Sequence, residues 1–479
     1  MRKSTKFISF LLILAALSST LLLASCEKPN MGSGSSVNNT VNNGGDVNVL
    51  EGAIYGDGGL LFMPLENDTY GAAAGNAKYQ SHITIPETFN GKAVTHIFDG
   101  AFSGASNLKT ISLPNSITFV GDGAFENCEN LEYFEDKYAY YLGNTNNKYL
   151  VLVEAKDPTM TSCTLSDNTV AICDKAFQNC KSLIKITAKN VKSVGSYAFW
   201  GCSSLTTAII PKGTTSIGKE SFKDCQALTE VTIPATVSVI EESAFENCSA
   251  LKTVTFETGS VLTKINNSAF YGCKALTKIT IPEKVIYIGN QKVNDSSLKS
   301  EEDVHGAFEN CTSLSTVTFK GKDVNMIGNC AFKKCTALTA ITLPDSVSEL
   351  GSSAFLDCSA LTTVKLSTTL TKIKPSTFEN CSKLTSIEIK EGILTISGKA
   401  FSGCSALSTI EIPKSVTLIG AGAFGGCSKL TSVTMKDSAK WSTIDTLGRK
   451  TAVESAKLAD KATAADFFIN NNDATFQKG

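Results

Sequence analysis

The sequence predicts a repeat solenoid, and three observations carry the prediction. The phrase Ala-Phe-x-x-Cys-x-x-Leu returns thirteen times between Phe102 and Phe424, most often at an interval of 23 residues. A fixed period in the twenties marks an array in which each unit stacks only on its neighbours. Each phrase is followed by an apolar alternation, as in Leu228-x-x-Val231-x-Ile233, which has the period of a short strand. Apolar residues make up 42% of the chain, enough for one continuous core, so a single array accounts for a length of 479 residues.

The amino terminus, residues 1–25, has the form of an export signal. Arg2, Lys3 and Lys6 precede an apolar run from Phe7 to Leu23. The run ends in Leu23-Ala24-Ser25-Cys26, which resembles the bacterial lipobox. That resemblance implies cleavage before Cys26 and lipid attachment at this cysteine, with an ordinary signal peptide as the alternative. The run is too short and too closely followed by polar residues for a stop-transfer helix. Residues 26–46 are rich in Gly, Ser and Asn and read as a flexible tether spanning about 25 Å. Residues 47–82 are apolar again without the phrase, and read as a segment capping the first unit.

Within residues 83–435 each unit has the same parts. Pro ends the strand, because it has no N–H to donate. A second apolar pair follows, as in Val347 and Leu350, often with Gly next (Gly218, Gly351, Gly420) to turn the corner. Leu-x-x-Ile-x-Ile-Pro-x-x-Val-x-x-Ile-Gly-x-x-Ala-Phe-x-x-Cys resembles the BspA-like leucine-rich repeats of bacterial surface proteins. The resemblance implies a curved, β-rich leucine-rich-repeat solenoid, with a parallel sheet on one face, short turns or helical turns on the other, and capped ends. For function it implies adhesion at the cell surface, with a host matrix protein as ligand. Departures are small: Ala105 replaces the first Cys, and Ser221 and Thr377 replace Ala.

Twelve of the sixteen cysteines occupy one repeat position, which stacks them in a column facing the same way. Buried free thiols explain this best, since side chains in register point alongside one another rather than at each other. Cys163, Cys173 and Cys330 lie off the column, and Cys330 with Cys335 is the one pair that stands out for a closer look. No Cys-x-x-Cys or paired His offers four converging ligands for zinc, so no metal and no cofactor is expected. Catalysis has little material: the histidines are His82, His96 and His305 alone, with no nucleophile elbow and no zincin motif. Gly213 to Lys219 approaches a phosphate loop, but Glu220 holds the Ser/Thr position, so the stretch reads as a repeat turn. A net charge of −1 gives no field for nucleic acid, and membrane contact is expected through the N-terminal lipid only.

Binding surface is therefore the better expectation. The residue between the two inward strand positions faces outward. It is Thr232, Thr255, Thr280, Thr318 and Thr342 in the middle units, then Lys365, Glu388 and Glu411. This column reads as a recognition face or as ordinary exposed strand. An ice-binding array is disfavoured by the Lys, Glu and Ile that interrupt it.

Two insertions break the period, near 132–172 and at 290–304. The first holds Tyr133, Tyr138, Tyr140, Tyr141 and Tyr149, five of the eleven tyrosines. Exposed tyrosines bury large area at low entropy cost, so they are candidate contact residues. The alternative is that Tyr140 and Tyr149 open two longer strands of an irregular coil. The second insertion is polar and reads as a projecting loop. Residues 436–479 include an alanine-rich stretch that reads as a capping helix, a small appended module or a partner-binding helix.

The function read from all this is a lipid-anchored protein of the bacterial envelope, at the outer membrane or cell surface, that binds a host matrix protein or glycan. The alternative is an envelope spacer that contacts only the cell's own components. Oligomeric state is not legible in the sequence.

Overall fold

The computed structural model of the chain describes residues 52–289 and 305–479. The signal segment, the tether with Cys26, and the 290–304 insertion lie outside the described residues.

The chain winds into a β-solenoid of about 15 turns. The coil around Phe245 shows how. On its first side, Glu230–Ile233 pairs in parallel register with Thr253–Phe256 of the next coil, burying Val231 and Ile233. A turn closed by the Val237 N–H donating to the Pro234 carbonyl (3.1 Å) then redirects the chain. Val239–Ile240 follows as a strand of only two residues, paired to Ser216–Ile217 behind it and Lys264–Ile265 ahead. Six such strands, from Ser216–Ile217 to Glu349–Leu350, form a second parallel sheet. The two-residue strands are too short to show a period, so the sequence registers them only as an apolar pair.

The third side is made of turns and carries the repeated phrase. Ala244, Phe245, Cys248 and Leu251 all point inward with no exposed surface. Here too the coils are joined backbone to backbone: Phe222 N–H donates to Ala244 O (2.9 Å) and Asp224 N–H to Glu246 O (2.8 Å). Each turn requires a left-handed residue just before the cysteine. Asn247 (φ 57°), Gly272 (φ 69°), Asp357 (φ 61°) and Asn380 (φ 60°) take it, and Gly and Asn tolerate this region best. The glycines expected to turn the second corner do something else. Gly351 and Gly420 do not have positive φ; a Cβ on either would lie 2.3 Å from the backbone of the preceding coil. Close approach of stacked coils, not turn geometry, excludes a side chain there.

The interior is a ladder of phenylalanines. From Phe177 to Phe424 successive rings stack with centroids 5.2–5.6 Å apart and planes within 9°. Phe102 and Phe125 form a separate pair at 5.7 Å. The hydrophobic core divides in the same place, into a small N-terminal cluster and a long C-terminal one.

At the N-terminal end Ile54–Tyr55, Leu61–Pro64 and Tyr70–Ala73 form an antiparallel meander, which joins Lys92–Ile97 in parallel. At the other end Thr475–Lys478 pairs antiparallel with Leu418–Ile419, and the helix Lys461–Asn470 lies over the last coil. Asp460 caps that helix, its side chain accepting from the Thr463 N–H at 2.8 Å. Phe468 meets Phe424 at 5.9 Å and 60°, so the stacked ladder ends against a tilted ring.

Candidate binding surface

On the first side of the solenoid, inward and outward residues alternate along each strand. The pairing sets Thr232 against Thr255 and Thr280 against Thr318, and Thr342 against Lys365. All of these are exposed except Thr280, which is half-buried. A second outward column, which the sequence reading did not single out, lies two residues earlier on the same face. It includes Glu230, Thr253, Lys278, Thr316 and Thr363. A hydroxyl row borders it, in which Ser315 donates to Thr277 O (3.1 Å) and Thr362 to Thr339 O (3.0 Å) of the preceding coils. These hydroxyls tie coil to coil; the two strand columns face solvent. In the late coils the face becomes charged, with Lys436 paired to Glu411 at 2.9 Å and Lys390 to Glu388 at 2.5 Å.

The tyrosine insertion forms a hairpin, Ala139–Leu142 with Val151–Ala155, the latter joined in parallel to Ala171–Ile172. The reading of two longer strands is therefore the one the structure shows. Alternation along the hairpin aims neighbouring side chains at opposite sides. Tyr141 and Leu152 pack in the long core, whereas Leu142 and Val151 pack in the short one. The hairpin is thus a wall between the two cores.

Tyr141 is not a surface contact: it is wholly buried, and its hydroxyl donates to Asp136 Oδ2 at 3.0 Å. Burial, with the Asp136 carboxylate beside it, pushes its phenol well above the usual range. Tyr149 is half-buried, edge-on to Tyr141 at 5.1 Å. Tyr138 and Tyr140 are half-buried as well, and only Tyr133, at 37%, is exposed. Tyr133 and Tyr140 lie 6.1 Å apart, and Lys156 sits over the Tyr140 ring at 5.5 Å. Tyr138 and Tyr149 pack against the long core, and Tyr133 and Tyr140 are not among the residues that do.

The cysteine column is buried and free, and every column thiol except that of Cys180 donates to a carbonyl of the preceding coil. Cys248 Sγ donates to Phe222 O (3.2 Å), Cys273 to Phe245 O (3.3 Å) and Cys335 to Phe308 O (3.2 Å), always one coil back. Burial pushes the thiols of Cys311, Cys358 and Cys427 up to about 12. Cys335 is so engaged with Phe308, and Cys330 is a free, half-buried thiol, so the two form no disulfide. Cys163 takes an inward strand position opposite Ile186. The histidines stand apart: His82 Nδ1 bonds Thr110 Oγ1 at 2.8 Å, and His305 stacks on Tyr271 at 3.9 Å. Among the described residues no group of three or more His, Cys, Asp or Glu is placed to hold a metal ion. Gly213 to Lys219 is a turn leading into the strand Ser216–Ile217, as a repeat corner should be.

The coil from Leu205 to Pro211 forms no strand, and the single bridge Thr207–Glu230 joins it to the next coil. At this break a groove of about 770 Å³ opens over the corners of five successive coils, from Asn115 to Lys212. A signal existed in the Asn and Lys residues at those corners, but the 52-residue gap between Phe125 and Phe177 scatters them in the sequence.

The BspA type leucine rich repeat region, in six copies, matches residues 75–140, 155–261, 256–302 and 304–431. A leucine-rich repeat protein from Bacteroides ovatus is 24% identical, over 80% of this chain and 93% of that one, with a TM-score of 0.50. A leucine rich cell surface protein from Faecalibacterium prausnitzii is 27% identical, over 81% and 95%, with a TM-score of 0.36. The pneumococcal vaccine antigen PcpA is 19% identical, over 81% and 82%, with a TM-score of 0.38. No curated protein matches the chain. Among the described residues no helix is long and apolar enough to cross a membrane. The solenoid, its repeated phrase and a family match over most of the length agree, and the chain belongs to the BspA-type leucine-rich-repeat family.

Proposed function

We propose that the protein is a cell-surface adhesin, a lipoprotein held through Cys26 whose repeat face binds a host matrix protein or glycan. Proteins of this family are typically non-enzymatic and at the cell surface, and leucine-rich-repeat proteins generally bind proteins or other ligands. The observation that carries the reading is the strand face itself. Its inward residues are committed to the core, while Thr255 and Thr318, paired through their backbones with Thr232 and Thr280, turn their side chains to solvent.

The test is binding of the purified protein to immobilised fibronectin, fibrinogen and a glycan panel. Saturable binding lost in a Thr255→Lys, Thr318→Lys double variant supports a recognition face. Binding lost instead in Tyr133→Ala moves the site to the hairpin. No binding at micromolar concentration favours the envelope spacer. Protease treatment of intact cells separates these readings independently, since it removes an adhesin and spares a spacer on the periplasmic side.

A further inference from the structure

We infer that the groove over the corners of the early coils is a binding site for an acidic oligosaccharide, one bearing carboxylate or sulfate groups. It is a separate site from the strand face, and the inference goes beyond the adhesin reading.

Four asparagines, Asn115, Asn147, Asn168 and Asn190, line the groove on successive coils. A side-chain amide both donates and accepts, as does a sugar hydroxyl, so a row of amides suits a row of hydroxyls. Asn144 and Asp167 hold some of the row in place. Asn144 Nδ2 donates to Leu113 O (2.8 Å) and to Asn115 Oδ1 (3.2 Å), and Asn190 Nδ2 donates to Asp167 O (2.7 Å). Asn147 is different. Its Oδ1 is shielded from solvent and accepts no hydrogen bond from the chain. A buried acceptor left unpaired costs about 1–3 kcal/mol, and turning the Asn147 amide toward the groove would let a ligand hydroxyl satisfy it.

Charge sets the class of sugar. The lining holds Lys189, Lys192 and Lys212 against the single acid Asp167. Lys189 is engaged with Asp167 at 2.9 Å, while Lys192 and Lys212 are exposed and make no ion pair among the described residues. Two unpaired cations beside amides favour an anionic ligand over a neutral one.

The floor is supplied by the break in the strand face. Ala208, Ile209, Ile210 and Pro211 are half-buried where a paired strand would otherwise lie. They present an apolar surface of the kind that accepts the C–H face of a sugar ring. The corners from Asn115 to Lys212 span four inter-coil steps, roughly 19 Å at the ~4.8 Å strand spacing. That length calls for several linked sugar units rather than one.

The test is isothermal titration of the purified protein with four probes: tetragalacturonic acid, a chondroitin sulfate tetrasaccharide, neutral galactotetraose and a hexaglutamate peptide. At least one acidic tetrasaccharide is expected to bind tenfold or more tightly than galactotetraose, and more weakly as salt rises. Lys192→Glu with Lys212→Glu should cost at least tenfold, while Lys192→Arg with Lys212→Arg stays within threefold. Asn147→Ala should weaken binding severalfold, and unchanged thermal melting of all variants confirms that they fold. Equal binding of galactotetraose, equal or tighter binding of hexaglutamate, or no saccharide binding below millimolar concentration overturns the proposal. So does indifference to charge reversal. The strand-face variants Thr255→Lys and Thr318→Lys should leave these titrations unchanged, so the two readings fail separately.

Discussion

The thiol of Cys248 donates to the carbonyl oxygen of Phe222, one coil back, at 3.2 Å. The same bond recurs along the column from Cys128 to Phe102 through Cys427 to Phe401, with Cys180 the exception. It explains why a cysteine, rather than a larger aliphatic residue, fills a cramped interior position. The side chain is small, apolar and able to donate weakly to the backbone of its neighbour.

Two consequences for the thiols can be measured. Cys248→Ala should destabilise the protein by about 1–2 kcal/mol through lost packing and a lost weak bond, read from urea unfolding. Among the described cysteines a disulfide reagent should modify Cys330 first in the native protein, because it is half-buried while the column thiols are enclosed; burial raises all of them, so access decides. Equal reactivity of Cys248 and Cys330 without denaturant would contradict this placement.

Position along the ladder should matter. Phe245→Ala removes a ring stacked on both sides and should cost about 3–5 kcal/mol. Phe468→Ala removes the tilted ring at the C-terminal end. Its effect should fall mainly on the last coils, because each unit is held by its neighbours. Hydrogen exchange should show faster protection loss around Phe424 and little change at Phe245.

The hairpin tyrosines should separate by mutation. Tyr141→Ala opens the wall between the cores and should cost about 3–5 kcal/mol. Tyr133→Ala alters an exposed ring and should stay within about 1 kcal/mol. Thermal melts of the two variants check this, and matrix binding by Tyr133→Ala then reports on recognition rather than folding.

Acid should stabilise one corner of the fold. Asp99 and Asp174 line up with Asp122 on successive coils, where Asp99 Oδ1 accepts from Asp122 N–H and Asp174 Oδ1 from Gly123 N–H. Burial, reinforced by the neighbouring carboxylates, raises both acids above the ordinary 3.8. A raised carboxyl binds its proton more tightly folded than unfolded. Its penalty is therefore present at neutral pH and relieved as pH falls through the raised value towards 3.8. Asp99→Asn keeps the acceptor and removes the charge. It should be more stable than the parent at pH 7, and the advantage should shrink towards pH 4. Chemical denaturation at several pH values gives the difference, which cancels acids such as Glu309 that move the other way. Glu309 is held low, because hydrogen bonds from His305 and Gly306 and the Lys333 ammonium outweigh its burial.

The sequence was legible wherever a residue type is repeated for one reason. Phe245, Cys248, Leu251 and Val254 sit at inward positions that every coil must fill, and the structure buries all four. The outward register of Thr255 and Thr318 followed from strand alternation alone. Other features were hidden for physical causes. Val239–Ile240 is too short to display a period, yet neighbours on both sides pair with it. The role of Gly351 depends on how near the preceding coil passes, which no single repeat reveals. Tyr141 and Tyr133 look alike in the sequence, and only the two cores flanking the hairpin decide which is enclosed.

The wall at residues 139–155 also bears on how the molecule responds to load. Stretched by its two ends, the solenoid is pulled across its strands, so coils peel away singly rather than sliding together. The repeat ladder below the wall is the shorter one, with one ring pair against eleven rings above it. Extension should therefore show an early rupture from the short stack, followed by a longer plateau as the rest unwinds. A surface protein built this way would lengthen in stages under flow while most of its repeat face stayed intact.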